Sequence, residues 1–333
     1  MVQMTFDPDP REGSSTAALE PFDFSVSEVD AGERLDVALA TRAGLTRSGV
    51  KRWIDAGRVT LNGKVCRASH RVALGDRVAA TPLEPVVPSL EPEAIPLVVL
   101  YEDEDLIVID KPAGLVVHPA PGHPSGTLVN ALLHHCGDLA GIGGVLRPGI
   151  VHRLDQGTSG VMVAAKNDVS HQTLSAQFHD HTIDRSYRAF VRGVPSADAG
   201  EVDKAIDRHP RDRKRMSVQL RPGRSGRAAL TRWRVVERFG ASSRCHLEIH
   251  PQTGRTHQIR VHLSAIGLPI VGDPVYGRLR AQGHSPSLPR PALHAAVLGF
   301  SHPRSGEPLR FEAPLPPDML GLQEALRSRE ARR

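Results

Sequence analysis

Prolines recur at Pro82, Pro85, Pro88, Pro92 and Pro96. Each ring fixes φ and removes a backbone donor, so regular structure does not run through this stretch. The chain must fold as separate units on either side of a semi-rigid linker. Its 333 residues allow two domains and a substantial core. The expected organisation is a tail over 1–25, a small unit over 26–80, the linker over 81–96 and a large unit over 97–333. The tail is rich in Pro, Ser, Asp and Glu with little periodic apolar content, which predicts disorder.

In the small unit Leu35, Leu39, Leu45, Val50, Trp53 and Ile54 predict two short helices separated by Gly44. Thr46 is the expected cap of the second, and Gly57 its end. Val59 to Val65 alternates around Asn62-Gly63, a strong hairpin signal. Arg47, Lys51 and Arg52 fall on nearby helical positions and could address successive phosphates.

The large unit opens with apolar runs at 97–101 and 106–109, joined by the acidic turn Glu102-Asp103-Glu104-Asp105, and a further run at 115–117. Short β-branched segments with tight turns indicate antiparallel pairing. Thr127 to His135 and Asp168 to Phe178 read as helices. Irregular interleaving of strands and helices makes the class α+β, around a mixed, mostly antiparallel sheet.

Three segments could carry chemistry. Val151-His152-Arg153-Leu154-Asp155-Gln156-Gly157-Thr158-Ser159-Gly160 sets one carboxylate beside an arginine and a histidine. Small turn-forming residues and the apolar run Val161–Ala165 follow, which is how a loop backed by a buried strand presents an acid. A carboxylate beside a cation stays ionised, suited to nucleophilic attack or charge stabilisation. An isolated Asp-Arg pair is more often a surface salt bridge. In Arg185–Gly193 the alternation turns Tyr187 inward, with a hydroxyl that needs a partner. Leu247 to Leu263 predicts a strand, a turn at Thr253-Gly254, and a helix from about Thr256 to Gly267. Arg255 stands at the entrance of that helix.

The first segment resembles the signature His-Arg-Leu-Asp-x-x-Thr/Ser-Ser/Thr-Gly of the RluA/RluD-type RNA pseudouridine synthases. Arg185–Gly193 is similar to the family's Tyr-x-Ala-x-Val-x-Gly strand, and Gly254-Arg-Thr-His-Gln-Ile-Arg-Val-His262 to its third motif. Lys111–Pro119, Gly272–Gly277 and Leu293-His294-Ala295 follow the same pattern, so the likeness spans roughly residues 34 to 315. Only Gln156-Gly157 departs from it, at positions where the family varies. Arg34-Leu35-Asp36, Arg47-Ser48, Gly57, Asn62-Gly63 and Gly75-Asp76 resemble an S4 RNA-binding domain. Ile206–Pro210 with Lys214–Val218 is similar to the RluD-like branch, which modifies helix 69 of large-subunit ribosomal RNA.

The resemblance implies a small S4 domain followed by a pseudouridine synthase catalytic domain, and an isomerase that flips a uridine out of folded RNA. Asp155 would attack C1′ or take a proton from C2′. Tyr187 would hold the uracil, and Arg255 would keep Asp155 ionised, with Arg260 the competing choice. Arg153 would fill the gap or hold the flipped nucleotide's phosphate, assisted by His152. RNA contacts are expected from Arg47, Lys51, Arg52, Arg208, Lys214, Arg215 and Arg260. No metal, nucleotide or redox cofactor is implied.

Composition bears on the alternatives. The net charge is +5, but Lys204 to Arg234 concentrates basic residues, as a phosphate-tracking surface or a solvated face would. Three scattered cysteines, no signal sequence and no bilayer-length apolar run suggest a cytoplasmic protein, expected to act as a monomer on RNA without a membrane. The histidine pairs 134/135, 257/262 and 294/302 lack the i,i+4 pairing with a carboxylate of zinc hydrolases, so no metal site is expected. A non-catalytic assembly factor and a metal hydrolase are the rival readings. Asp155→Asn tests the first, and bound zinc the second.

Overall fold

The computed structural model describes residues 21–43, 47–82, 90–120, 122–137, 139, 148–212, 215–218, 226–277 and 287–332. The chain divides into two compact units, Met1–Val87 and Pro88–Arg333.

The small unit runs β1 (Phe22–Ser25), α1 (Leu35–Ala43), α2 (Arg47–Asp55), β2 (Val59–Leu61), β3 (Lys64–Val65) and β4 (Arg77–Ala80). Its strands form one sheet in the order β1-β4-β2-β3. Leu35, Leu39, Val50, Trp53 and Ile54 pack with Val59, Val72 and Val78 as the periodicity predicts. Leu45 and Thr46 lie outside the described residues. Asn62 and Gly63 both take positive φ, 49° and 75°, as a tight two-residue turn demands. One expectation fails: residues 22–25 are not tail but β1, which pairs with β4. Phe22 and Phe24 alternate and pack against the core, with the Phe22 ring 6.0 Å from that of Trp53.

The large unit continues with β5 (Val98–Glu102), β6 (Leu106–Lys111), α3 (Leu128–Cys136), β7 (Ser159–Ala165), α4 (Asp168–His179), β8 (Asp184–Arg192), β9 (Ala199–Asp203), β10 (Ile206–Arg208) and β11 (Met216–Val218). Then come β12 (Leu230–Phe239), β13 (Arg244–Pro251), α5 (Gln258–Ala265), β14 (Leu293–Ser301), β15 (Pro308–Glu312) and α6 (Pro317–Glu330). A nine-stranded sheet takes the order β5-β6-β7-β14-β8-β13-β12-β9, with β15 on β14. Its pairs are antiparallel except β7 with β14. The α+β class with a mixed, mostly antiparallel sheet is therefore what forms. Strand alternation sends Ile107 and Ile109 to α3, while Leu106 and Val108 pack with Leu174 of α4. Ile259 and Leu263 of α5, with Met319 and Leu322 of α6, join the core of β8, β12 and β13.

Two further expectations change. The described end of the proline stretch belongs to the large unit: Leu90 packs beside α3, the Asn130 amide donates to Glu91 O at 2.8 Å, and Glu93 N–H donates to Asn130 O at 3.0 Å. The run 115–117 forms a single bridge, Val116 to Thr127, rather than a strand. Buried Lys111 causes this, drawing the carbonyls of Pro112 and Leu115 onto its Nζ at 2.8 and 2.9 Å, which curls the chain.

The loop entering β7 is secured by the β7–β14 contact. Gly160 has φ +118°, and a Cβ there would lie 2.1 Å from Ala295 O. Beside it, His294 Nε2 faces the Ala313 carbonyl at 3.2 Å and must donate, so Nδ1 accepts from the Ser159 hydroxyl at 2.9 Å. Gly160→Ala should force β7 and β14 apart and cost about 2–4 kcal/mol, from strained backbone and overpacking together. Urea unfolding of purified protein checks this, and an unchanged midpoint would contradict the strand contact.

Candidate active site

Asp155 lies in the extended segment before β7, where its carbonyl accepts the Thr158 N–H at 3.0 Å to close a turn. That turn exposes one face of the carboxylate, whose side chain is 20% accessible. Lys111 lies behind it, at the junction of β6 with Gly160. Burial pushes the Lys111 ammonium down to about 8, against the opposing charge of Asp155.

The cation that pairs with Asp155 is Arg260, not Arg255. Arg260 Nη1 donates to Asp155 Oδ2 at 2.8 Å, while Nε and Nη2 hold Asp273 in a fork at 2.7 and 3.0 Å. Asp273 also accepts the N–H groups of Val275 and Tyr276. The reason is helical position. Arg260 is in the first turn of α5 on its buried side, whereas Arg255 precedes the helix. There Gln258 Oε1 takes the Arg255 N–H at 3.0 Å, and Arg255 Nε donates to Ala228 O at 3.0 Å. Burial works against the Arg260 cation, but hydrogen bonding and charge from Asp273 and Asp155 outweigh it and raise its pKa. For Asp273, burial is likewise outweighed by Arg260, and the carboxyl is held below its ordinary value.

These groups open onto a cleft of about 430 Å³ whose lining includes Arg153, Arg185, Arg227, Arg255 and Arg260 against one acid, Asp155. Such a balance attracts a polyanion and tolerates phosphates at several points. Arg153 is exposed at the rim. Tyr187 on β8 lines the cleft while packing against the cores of both halves of the sheet. Burial raises its phenol pKa. His152 serves the scaffold more than a ligand: its ring stacks on Phe178 at 4.4 Å, and Nε2 accepts the Val163 N–H at 3.1 Å.

The expected RNA contacts outside the cleft separate. Arg208 and Arg215 sit on the β10–β11 hairpin, and Lys214 lies outside the described residues. Arg208 is exposed, and Arg215 lies over the Tyr276 ring at 5.5 Å. In the small unit Arg52 is exposed; Arg47 pairs with buried Asp36 at 3.0 Å, and Lys51 pairs with Asp55. Among the described residues the basic block does not form one surface. Arg227 reaches the cleft, whereas Arg232 and Arg234 engage Glu201 and Glu248. Sequence reasoning quoted Gly272–Gly277 without giving Asp273 or Tyr276 a task, and it weighed His257 only as a metal ligand. The signal was there in an acid and an aromatic within one turn-forming motif.

Comparison with known proteins agrees with this fold. Residues 105–265 match the RNA pseudouridylate synthase family, and residues 33–78 match the S4 domain. A Bacillus subtilis protein named uncharacterized RNA pseudouridine synthase YlyB is 46% identical over 93% of this chain and 99% of its own length. The ribosomal large subunit pseudouridine synthase D of Zymomonas mobilis is 47% identical over 89% of this chain and 94% of its own. That of Xanthomonas campestris is 43% identical over 96% and 98%. The solved human RNA pseudouridylate synthase domain containing 4 superposes with a TM-score of 0.54 at 28% identity, covering 69% of this chain and 93% of its own. The chain belongs to the RNA pseudouridine synthase family, carries an S4 domain, and is an isomerase acting on RNA. Among the described residues no helix is long and apolar enough to cross a membrane.

The support given by His152 sets a pH dependence. Burial lowers its pKa from 6.5 to about 3, assisted by Arg185. Between those values the unfolded chain binds a proton that the folded chain refuses, so stability falls as pH drops below 6.5. By pH 4.5 this amounts to about 2–3 kcal/mol. His152→Gln, which cannot titrate, should flatten the decline in urea midpoint between pH 6.5 and 4.5. Parallel curves for the two proteins would contradict it.

Proposed function

We propose that this enzyme isomerises specific uridines of large-subunit ribosomal RNA, with helix 69 as its target and Asp155 as the group that acts on the ribose. The observation that carries the reading is the Arg260–Asp155 pair at 2.8 Å within an arginine-lined cleft. The names of the Zymomonas and Xanthomonas relatives, and the resemblance of the Ile206–Val218 stretch to the RluD-like branch, support the choice of RNA.

The target base leaves its stack at a cost of a few kcal/mol, which phosphate contacts along Arg153, Arg185, Arg227 and Arg255 offset. Arg153, free at the rim, takes the place of the extruded nucleotide or grips its phosphate. The N1–C1′ bond then breaks and its electron pair leaves with the ring. Asp155 either bonds C1′ directly and is displaced as C5 bonds there, or removes the C2′ proton to give a glycal and returns it to C2′ as the C5–C1′ bond forms. The uracil turns beside Tyr187, a C5–C1′ bond forms, C5 loses its proton and N1 gains one, so the change is an isomerisation. A second acid that activates water, as in glycoside hydrolysis, has no place in the scheme. Arg260 aims Asp155 through its Nη1 bond, while the fork on Asp273 fixes the plane of the guanidinium. The 26–80 unit grips a second part of the same RNA through Arg52 and its neighbours. The enzyme works as a cytoplasmic monomer without metal or cofactor.

Mapping of pseudouridine in RNA from cells lacking the gene tests the target. Helix 69 should be unmodified, regain modification with the wild-type gene and fail to do so with Asp155→Asn. In vitro that variant should lose at least about a thousand-fold in rate. Full modification of helix 69 in the deletion strain would refute the target, and rescue by Asp155→Asn would refute the site.

A further inference from the structure

One polar side chain in the cleft has no task in this scheme. His257 precedes α5 with a left-handed backbone, φ +56°. Few residues other than glycine rest in that region unaided. Its neighbour Gln258 fixes the conformation, taking the Thr253 hydroxyl and the Arg255 N–H on Oε1 and donating from Nε2 to Leu230 O and Thr231. The result is an imidazole turned over the cleft with Nε2 3.9 Å from Asp155 Oδ2, too far for a hydrogen bond.

The tautomer follows from the other nitrogen. Nδ1 is 2.9 Å from the Tyr276 hydroxyl, and the same oxygen accepts the Met216 N–H at 2.8 Å. A main-chain N–H can only donate, so the hydroxyl hydrogen must go elsewhere. Among the described residues its acceptor is His257 Nδ1. The neutral ring therefore carries its proton on Nε2, facing Asp155. Burial favours the neutral ring; Asp155 and Asp273 oppose that, and Arg260 and Arg153 assist it.

We infer that His257 is a catalytic hydrogen-bond donor, whose Nε2–H meets the uracil carbonyl oxygen nearest C1′ throughout the reaction. This rests on the reading of Asp155 given above. If Asp155 acts at C1′ or C2′, a donor just beyond its oxygen faces the atoms next to the glycosidic bond. In uridine the carbonyl nearest C1′ is O2. Turning the ring about its N3–C6 axis exchanges N1 with C5 and O2 with O4, so in pseudouridine the nearest carbonyl is O4. One fixed donor thus serves substrate and product alike. It serves the detached ring best, because that ring carries the electron pair of the broken bond as negative charge spread over N1 and its oxygens. A neutral imidazole fits the task, since it stabilises the anion without giving up a proton.

Single-turnover rates on an unmodified transcript of large-subunit RNA, with RNA affinity measured separately, test this. His257→Asn tolerates the left-handed backbone and keeps a polar atom toward Tyr276, but places no donor at the Nε2 position. His257→Gln reaches that position with an amide N–H. We expect the asparagine variant to lose about a hundred-fold in rate with RNA affinity within a few-fold of wild type, and the glutamine variant to stay within ten-fold. A wild-type rate for His257→Asn overturns the inference, and so does equal slowing of both variants, which marks a purely structural role. Asp155→Asn is run alongside: activity retained there sinks the reading of the site itself, a result distinct from any outcome at position 257.

Discussion

A single buried guanidinium organises the large unit. Arg260 bridges two carboxylates from distant parts of the chain, Asp155 before β7 and Asp273 in the turn that follows α5. Ion pairs of this kind add little net stability, because desolvation offsets their attraction. Their effect is on geometry: with five donors in a fixed plane, Arg260 meets both acids only when the loop, the helix and the turn take one arrangement. Glycines permit the close approach. Gly160 admits the backbone of Ala295, and Gly272, at φ +76°, lies where a Cβ would meet the carbonyls of Leu288 and Arg290 at 2.5 and 2.1 Å.

Much of this was legible in the sequence, because much of it is local. The hairpin at Asn62-Gly63, the helices over Leu128–Cys136 and Asp168–His179, and the fully buried β7 follow from periodicity and turn chemistry acting within a few residues. The segments carrying Asp155 and Tyr187 were identified by their patterns, and the structure puts both on one cleft. Choosing the partner of Asp155 was not a local matter. Arg255 and Arg260 flank the same helix start, and only the helical phase, set by Gln258 folding back over the preceding loop, decides which one faces inward. The strand Phe22–Ser25 was hidden for a related reason. Four residues give too short a period to stand out beside an acidic, proline-rich neighbourhood, and their partner lies more than fifty positions away in β4. Buried Lys111 likewise turned an apolar run into a curl, an effect that hydrophobicity cannot announce.

Charge distribution follows the same division between local and distant. The run of arginines from Arg208 to Arg234 looks uniform as text, yet strand alternation splits its described members. Thr231 and Trp233 of β12 turn inward, one bonded to α5 and the other in the core, which leaves Arg232 and Arg234 on the opposite face with glutamate partners. Arg227, just ahead of the strand, escapes that pairing and reaches the cleft. A net charge of +5 therefore understates how positive the cleft is, since neutralisation is concentrated elsewhere.

Tyr276 shows how the parts are joined. Its ring has two guanidinium groups over it, Arg260 at 5.1 Å and Arg215 at 5.5 Å. Its hydroxyl receives the first N–H of β11 and borders His257. A basic hairpin is thus fastened to the residue that flanks the Arg260–Asp155 pair.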